Sequence, residues 1–355
     1  MTGARGRVSA ALLVLTMGAV AGCGSAGASH SSQTSSSATA SRVSAASPAS
    51  AASSVPASSP VSASSTVTAA SSSSSLASAG QAGGTRPIVH RPRATAPRDH
   101  YPAGLTGAWQ RMASVGGRPA LWVAERAGVT LVRMNQRLVH LALHAGSTDP
   151  GGTGWRYGAQ VAGREIHHLI LGFNGGFKFS TDSGGFESFG RTAVPLTPGL
   201  GSVVTYADGR TQIGVWRAGV PARGRRIASV RQNLHLLIDH GRPAASVNCG
   251  EACWGATIGG ASAVARSGLG ILRNGQLLWA AGENLTVSQL ADAMAGAGVQ
   301  RAVQLDINPD WVAGYLYVHH RRAPLTPVPV VPGQYGIYGH LLIPYSRDFF
   351  TVLAN

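Results

Sequence analysis

The sequence predicts an α+β fold with a β-rich, mixed core and few helices. Two turn signals support the strands, because Asp208-Gly209 and Asn274-Gly275 each separate two runs of apolar or alternating residues. One helix has an equally clear start, since Thr286 and Gln289 form a capping box ahead of an apolar face. Helix signals are scarce elsewhere in the folded part, so most of the core is expected to be sheet.

The remaining elements follow from short runs of apolar and β-branched residues. In chain order the predicted strands lie in Leu121–Val123, Val129–Val132, Leu169–Leu171, Val203–Trp216, Leu234–Asp239, Gly270–Gly282 and Ala302–Leu305. The helix buries one face, formed by Val287, Leu290, Ala291, Met294 and Ala297, and ends at Gly296 and Gly298. The last run begins directly after this helix, so Asp306 is expected where a strand ends.

Residues 1–22 are predicted to be a lipoprotein signal peptide. Arg5 and Arg7 precede a short apolar run, Val8–Val20, and the segment Val20–Cys23 is similar to the lipobox of bacterial lipoproteins. Lipid on Cys23 would anchor the protein to a membrane. An ordinary signal peptide with a chance cysteine is the alternative. We expect an exported, membrane-anchored lipoprotein that faces the exterior of the cell envelope.

Residues 23–97 are predicted to be a disordered tether rich in Ser, Ala and Pro. Between Gly24 and Thr85 there is no aromatic residue and no acid, so this segment has too little apolar surface to offset the entropy of ordering. The domain is expected to span residues 98–355, which is long enough for one sizeable core.

The chain is strongly basic, with a net charge of +15. Such a charge attracts phosphate-rich polymers or anionic lipid headgroups. The arginines are scattered and no basic motif is interleaved with aromatic residues, so nucleic acid is not an expected partner of an exported chain. The expected partners are a phosphorylated glycan or sugar phosphate, and the membrane through the N-terminal lipid.

Cys249 and Cys253 remain as a pair once Cys23 is lipidated. In an oxidising compartment, two cysteines this close are expected to form a small-loop disulfide. Their spacing differs from that of a C-x-x-C redox motif, and a metal site would require more thiols or nearby histidines.

The stretch Leu171–Phe179 contains the first candidate binding motif. An apolar strand runs into Asn174, Gly175 and Gly176, where glycines permit a tight turn and the close approach of backbone N–H groups to a ligand. Such concave backbone binds anions, and Lys178 would add a positive charge. A plain tight turn is the alternative interpretation.

Arg266 is the second candidate, because it precedes a turn of small residues and a strand. A guanidinium there could hold a phosphate or carboxylate through two hydrogen bonds. The alternative is a solvated surface arginine.

Two acids and an amide at alternate positions give the third candidate. Asp306, Asn308 and Asp310 resemble the first half of a calcium loop, but Trp311 and Tyr317 stand where an EF-hand requires glycine and glutamate. A looser site for a divalent cation such as calcium remains an interpretation, and no other cofactor is indicated. A catalytic carboxylate at Asp306 and a turn capped by Asp306 are the alternatives.

A second carboxylate is normally needed for glycoside hydrolysis. Four acids in polar or glycine-rich stretches could supply it, and these are Asp182, Glu187, Glu251 and Glu283. Glu187, which follows the Asn-Gly-Gly turn most closely among the glutamates, is the predicted partner of Asp306.

Together these motifs resemble the phosphodiester glycosidase family, which is related to the enzyme that uncovers mannose 6-phosphate by removing N-acetylglucosamine from a phosphodiester. The resemblance covers residues 166–345 and rests on Asn174-Gly175-Gly176-Phe177, on Arg266 and Gly270, on residues 285–298, and on Leu305-Asp306. It implies a sugar phosphodiester substrate and hydrolysis at the anomeric carbon. The family continues Leu-Asp with Gly-Gly-Gly-Ser, whereas this chain continues with residues 307–310, Ile-Asn-Pro-Asp.

The resulting hypothesis is a cell-envelope hydrolase that cleaves a glycosyl-1-phosphodiester. Asp306 and Glu187 are its predicted catalytic residues, and its predicted substrate-binding residues are Asn174, Gly175, Gly176, Lys178, Arg266, Asn308 and Asp310. The alternative is a binding module that holds a phosphorylated envelope glycan without cutting it, which the lost glycines favour. A third reading is a tethered structural domain without a small ligand.

Overall fold

The computed structural model describes residues 94–95, 105, 107–334 and 341–355. The predicted signal peptide, Cys23 and most of the predicted tether lie outside these residues. Ala94–Thr95 pairs with Ser114–Val115, so the described sheet begins four residues before the predicted boundary at residue 98. No helix in the described part is long and apolar enough to cross a membrane.

Most of the regular secondary structure in the described chain is strand. In chain order they are β1 (Ala94–Thr95), β2 (Gln110–Val115), β3 (Arg118–Arg126), β4 (Val129–Met134), β5 (Val139–His144), β6 (Leu169–Asn174), β7 (Phe186–Ser188), β8 (Arg191–Val194), β9 (Gly201–Tyr206), β10 (Thr211–Val215), β11 (Ile227–Gln232), β12 (Leu236–Asp239), β13 (Arg242–Pro243), β14 (Val264–Leu272), β15 (Leu277–Leu285), β16 (Val299–Gln304), β17 (Gly314–Val318), β18 (Thr326–Pro329) and β19 (Phe349–Ala354). The described α-helices are α1 (Glu251–Trp254) and α2 (Val287–Gly296). The prediction of a β-rich core with few helices is confirmed.

The strands form three sheets. One has nine strands in the order β1-β2-β3-β4-β15-β14-β16-β12-β13, and two have five, in the orders β10-β9-β11-β7-β8 and β18-β17-β6-β19-β5. The core is not mixed in strand direction, because every pairing between described strands is antiparallel. Short loops between consecutive strands favour this arrangement.

The predicted hairpins are confirmed. β9 pairs with β10 around Asp208-Gly209, and β14 pairs with β15 around Asn274-Gly275. Gly209 and Gly275 both have positive φ, which glycine adopts without a steric cost. These turns therefore fix the register of their strands through local chemistry.

The predicted helix is also confirmed. The Thr286 hydroxyl accepts a hydrogen bond from the Gln289 amide at 3.2 Å, and the Gln289 side chain accepts one from the Thr286 amide at 2.8 Å. The helix buries Val287, Leu290, Ala291 and Met294, whereas Ala297 lies just beyond its end and is partly buried. It connects β15 to β16, which run parallel to each other on either side of β14.

Alternation along the strands separates the core into layers. On β15, Trp279 belongs to a large cluster shared by all three sheets, whereas Leu278 and Ala280 pack with the helix α2 on the opposite face. The ends of β6, β16 and the segment before β19 meet at one edge of the shared cluster, and this is where the predicted site residues lie.

Candidate functional site

Backbone hydrogen bonds join three chain segments at the site. The Asp306 amide donates to the Gly175 carbonyl at 3.0 Å, and the Gly175 amide donates to the Asp348 carbonyl at 3.0 Å. Asn174 and Phe349 are register partners, so β6 and β19 deliver Gly175 and Asp348 side by side. The site therefore sits where the nine-stranded sheet meets a five-stranded one.

Asp306 is buried, with 5% of its surface exposed. Its Oδ1 accepts hydrogen bonds from the amides of Ile307 at 2.8 Å and Asn308 at 3.0 Å, and its Oδ2 accepts one from Arg347 Nη2 at 3.0 Å. Burial raises the pKa of Asp306 to about 6, although the Arg347 charge and the two amides oppose the rise. The pKa of Asp306 therefore lies closer to neutral pH than that of an ordinary aspartate.

Arg347 joins Asp306 to its surroundings. Its Nη1 donates to Asp149, and its Nη2 donates to the Gly176 carbonyl at 2.8 Å as well as to Asp306. Its guanidinium lies 4.5 Å from the centre of the Trp311 ring. Four partners thus fix the orientation of this arginine, and Arg347 in turn fixes the Asp306 carboxylate.

Gly175 and Gly176 are needed for close approach rather than for an unusual backbone angle, since neither has a positive φ. A Cβ on Gly175 would lie 2.1 Å from Asp348 Oδ2, and one on Gly176 would lie 2.8 Å from Arg231 Cζ. Asp348 and Arg231 themselves form a buried ion pair at 2.8 Å. The glycines make room for that pair.

The prediction that the backbone amides of this turn bind an anion is wrong. The Gly175 amide donates to the Asp348 carbonyl, and the Gly176 amide donates to Asp348 Oδ2 at 3.4 Å. The Phe177 amide donates to Asn233 Oδ1 at 3.0 Å. Because the last strand brings Asp348 to the turn, these N–H groups are used within the protein and are not free for a phosphate.

Asn174 lies behind the site and is 4% exposed. Its Nδ2 donates to Ser267 Oγ at 2.8 Å, and Ser267 Oγ donates to the Asp306 carbonyl at 3.0 Å. Asn174 Oδ1 is buried without a hydrogen-bond partner. Asn174 and Asp306 are therefore brought together through Ser267, with Asn174 positioned to hold the backbone rather than to face a ligand.

A cleft of about 500 Å³ opens in front of Asp306. Lys178, Asn308, Trp311 and Glu251 also line it, and the Lys178 ammonium lies 4.8 Å from the centre of the Trp311 ring. The cleft thus combines a lysine cation, an indole surface, an amide and two carboxylates. Three predicted residues, Lys178, Asp306 and Asn308, come together here.

The alternating polar residues after β16 form two successive side-chain turns. Asp306 Oδ1 accepts from the Asn308 amide, and Asn308 Oδ1 accepts from the Asp310 amide at 2.9 Å. Asp310 itself is exposed and does not line the cleft. The spacing that resembles a calcium loop thus stabilises the chain after the strand.

Arg266 lies elsewhere. Its Nε donates to the Leu285 carbonyl at 2.8 Å and its Nη1 donates to Gln304 Oε1 at 3.1 Å, while it lines a separate depression of about 310 Å³. Burial lowers the pKa of Arg266. It is a buried structural arginine, not the solvated one of the alternative interpretation, and it does not line the Asp306 cleft.

Glu187 is not brought to the cleft either. It lies on β7 between the buried residues Phe186 and Ser188, so its side chain points away from them, and its carboxylate accepts a hydrogen bond from Thr192 at 3.3 Å. The glutamate that lines the cleft is Glu251. Hydrogen bonds from the Thr257 hydroxyl and amide lower the pKa of Glu251.

The predicted disulfide is confirmed, since Cys249 and Cys253 are joined with their Cα atoms 5.7 Å apart. The bridge closes a short loop that contains Glu251, and both Glu251 and Cys253 line the cleft. The disulfide therefore constrains one wall of the candidate site.

The described residues give little support for a cation. Among them, no group of three or more His, Cys, Asp or Glu side chains is arranged to hold a metal ion. Both Asp306 oxygens are already bonded, and a cation would compete with the Arg347 guanidinium for Oδ2. The donor set at Asp306 does not fit calcium, so no chemical step is assigned to a metal.

Sequence reasoning missed Arg347, Asp348 and Arg231. Arg347 and Asp348 are adjacent charged residues immediately before the last apolar run. This pattern could have indicated polar side chains at the start of a strand. Arg231 carries no such local signal, because it lies within the strand β11.

Comparison with known proteins shows distant likeness only. No family model and no curated protein matches the chain. A solved structure of the zebrafish N-acetylglucosamine-1-phosphodiester alpha-N-acetylglucosaminidase catalytic domain, auto-inhibited by its pro-peptide, is similar at 14% identity and a TM-score of 0.42, over 74% of this chain and 87% of that chain.

Two further solved structures are similar at a lower level. A hypothetical protein from Synechocystis has 13% identity and a TM-score of 0.37, over 71% of this chain and 68% of that chain. A candidate exported protein from Burkholderia pseudomallei has 11% identity and a TM-score of 0.29, over 68% and 75%. At these TM-scores, neither family membership nor activity follows from the likeness.

Proposed function

We propose that the protein is a cell-envelope hydrolase that cleaves a glycosyl-1-phosphodiester at the anomeric carbon. The observation that carries the proposal is Asp306, a buried carboxylate with a pKa raised to about 6, facing a cleft that also holds the Lys178 cation. Catalytic carboxylates are tuned toward the working pH in this way. The motif resemblance supplies the substrate class.

Asp306 acts in this proposal as a general base. The leaving group is a phosphate ester, which departs as a stable anion and needs no proton from the protein. The step that benefits from catalysis is the attack of water on the anomeric carbon. Asp306 takes the proton of that water, and Arg347 and the two amides hold the carboxylate in place.

Lys178 holds the phosphate. It is exposed at the cleft, and no acid forms an ion pair with it among the described residues. Trp311 offers an indole face to a sugar ring, and Asn308 offers an amide to its hydroxyls. In this arrangement Asn174, Gly175 and Gly176 position the site. Arg266 holds the Gln304 side chain at the end of β16, and Asp310 follows the side-chain turn that Asn308 caps.

Glu251 takes the place that Glu187 was predicted to fill. Its lowered pKa keeps it ionised while Asp306 titrates near pH 6, so the two carboxylates have different roles. An ionised carboxylate at the cleft stabilises the positive charge that develops on the sugar. Export and N-terminal lipid anchoring, proposed from residues 1–23, place this chemistry at the cell envelope.

The second candidate function is a binding module for phosphorylated envelope glycan. The observation that favours it is the hydrogen bond of Asp306 Oδ2 to Arg347, which occupies the carboxylate. In a binding module, replacing Asp306 would alter affinity and no turnover would exist to lose.

The test is hydrolysis by the chain from Gly83 onward, which keeps β1. An N-acetylglucosamine-1-phosphodiester and a panel of envelope sugar phosphates are offered with and without calcium or magnesium. Asp306→Asn should lower kcat at least about 100-fold, the range for loss of a general base. Asp310→Asn, the same chemical change at an exposed position outside the cleft, should retain activity.

Saturable binding of these compounds by a folded wild-type protein that releases no product would favour the binding module. Neither binding nor turnover would support a structural domain.

A further inference from the structure

A second groove, of about 740 Å³, lies away from the Asp306 cleft and shares no lining residue with it. Its walls come from β5, from the β7–β8 turn and from the β9–β11 region. Its volume falls within the range of about 300–1,000 Å³ that is usual for ligand clefts. The hydrolase proposal does not use this groove.

Phe189 is the unusual residue of the groove. It is 47% exposed and is one of two large apolar side chains exposed among the described residues. It also has a φ of 50°, in the left-handed region that costs a bulky residue about 1–2 kcal/mol. Exposing this apolar ring to water is unfavourable, and so is the backbone conformation that carries it.

The turn that carries Phe189 does not require an aromatic residue. Phe189 and Gly190 form the two-residue loop between β7 and β8, and both have positive φ, as a type I′ turn requires. The equivalent first positions in other two-residue hairpin loops hold Gly116, Ala127 and His240. Asparagine would fit this position best, so the turn itself does not explain the phenylalanine.

One cation lies against the exposed ring, and a second lines the same groove. The Arg156 guanidinium lies 4.7 Å from the centre of Phe189 and 5.8 Å from that of Tyr157. Arg226 also lines the groove, and neither arginine has an ion-pair partner among the described residues. The acid that lines the groove, Asp208, is paired with Arg225. The groove therefore carries net positive charge beside an aromatic surface.

We propose that this groove binds an anionic polysaccharide, with a sugar ring on Phe189 and phosphate groups on Arg156 and Arg226. Aromatic faces bind the apolar face of a sugar, and guanidinium groups bind phosphate through paired hydrogen bonds. The site retains the protein on a charged envelope polymer and takes no part in bond cleavage. Single-stranded nucleic acid has similar chemistry, but the predicted export of the chain favours the polysaccharide.

The test uses the full-length protein purified in detergent, with three probes measured by isothermal titration calorimetry. The probes are a phosphorylated mannan, the same mannan after removal of phosphate, and a thymidine oligonucleotide of matched charge. The wild type should bind phosphorylated mannan at least tenfold more tightly than either of the others. Phe189→Asn should weaken that binding at least tenfold without lowering the melting temperature, because asparagine suits the turn.

Ile343→Asn is the matched control, since Ile343 is the other exposed large apolar residue and does not line the groove. It should bind phosphorylated mannan as the wild type does. Wild-type affinity in Phe189→Asn, equal affinity for both mannans, or tighter binding of the oligonucleotide would overturn the proposal. Phe189→Asn should hydrolyse small substrates normally and Asp306→Asn should still bind the mannan, so a failure of either proposal leaves the other testable.

Discussion

Asp306 combines burial, which favours its neutral form, with an arginine and two amides, which favour its charged form. Burial is the larger effect, and the pKa rises to about 6. Arg347 thus limits a shift that would otherwise be larger, and it sets the direction in which the carboxylate points. Arg347 therefore affects both the pKa and the orientation of the proposed base.

The pH dependence of kcat/KM is the first prediction at the residue scale. If Asp306 is the base, activity should rise with pH through about 6, because only the ionised carboxylate accepts a proton. The measurement is a pH profile of the chain from Gly83 between pH 4 and 8, with Asp310→Asn as control. A profile that falls through pH 6 would assign Asp306 as an acid instead.

The stability of Asp306→Asn is the second prediction at this scale. A raised pKa means that the folded state binds the Asp306 proton more tightly than the unfolded state does. Protonation of Asp306 therefore stabilises the fold below pH 4, and this stabilisation is lost as the pH rises through about 6. The wild type should therefore lose about 3 kcal/mol relative to Asp306→Asn between pH 3 and pH 7, at about 1.4 kcal/mol per pKa unit. Urea unfolding of both proteins at each pH measures this difference, and parallel pH curves would contradict it.

The turn after β6 shows what a short element can hold. Gly175 and Gly176 bring the backbone against Asp348 and Arg231, and Asn174 connects the same turn to Ser267 on β14. The buried pair of Arg231 and Asp348 also bonds the carbonyl of Phe177 at 2.6 Å, through Arg231 Nη2. The turn therefore connects two sheets, and the residues directly after it, Phe177 and Lys178, line the cleft.

Gly175→Ala is the prediction at the element scale. The new Cβ would lie 2.1 Å from Asp348 Oδ2, so the buried pair must move, at a cost of about 1–3 kcal/mol or more. Gly296→Ala is the control, since no atom lies within 4 Å of its Cβ and alanine favours the end of α2. Chemical denaturation compares the two variants. Equal stabilities would show that the turn tolerates a side chain.

The last described strand, β19, is an inner strand of its sheet. β19 lies between β6 and β5 in its sheet, and all six of its residues are buried. The two residues before it, Arg347 and Asp348, reach the site and the turn after β6. The C-terminal end of the chain therefore completes both the core and the cleft.

Deletion of residues 349–355 is the prediction at the scale of the molecule. Removing this strand leaves β5 without a strand partner and β6 paired with β17 alone, so cooperative thermal unfolding should be lost. Deletion of Asn355 alone removes an exposed residue that bonds Leu138 and His140, and should cost about 1–2 kcal/mol. Calorimetry distinguishes the two. A cooperative transition in the longer deletion would mean that β5 and β6 are held by other contacts.

The sequence by itself determined the features that depend on residues close together in the chain. The hairpins at Asp208-Gly209 and Asn274-Gly275, the capping box at Thr286 and the disulfide each join residues a few positions apart. Dihedral preference and local hydrogen bonding specify them, whatever the rest of the molecule does. Placing Asp306 at a strand end followed from the same local reasoning.

Only the tertiary structure decided which side chains meet at that strand end. Arg347 reaches Asp306 across 41 residues, Ser267 reaches Asn174 across 93, and Asp348 reaches Arg231 across 117. In the folded chain the glutamate that lines the cleft is Glu251 and not the predicted Glu187, and Arg266 bonds Gln304. Packing of three sheets around one core fixes these meetings, and a pattern read along the chain carries no information about which sheet edges will adjoin.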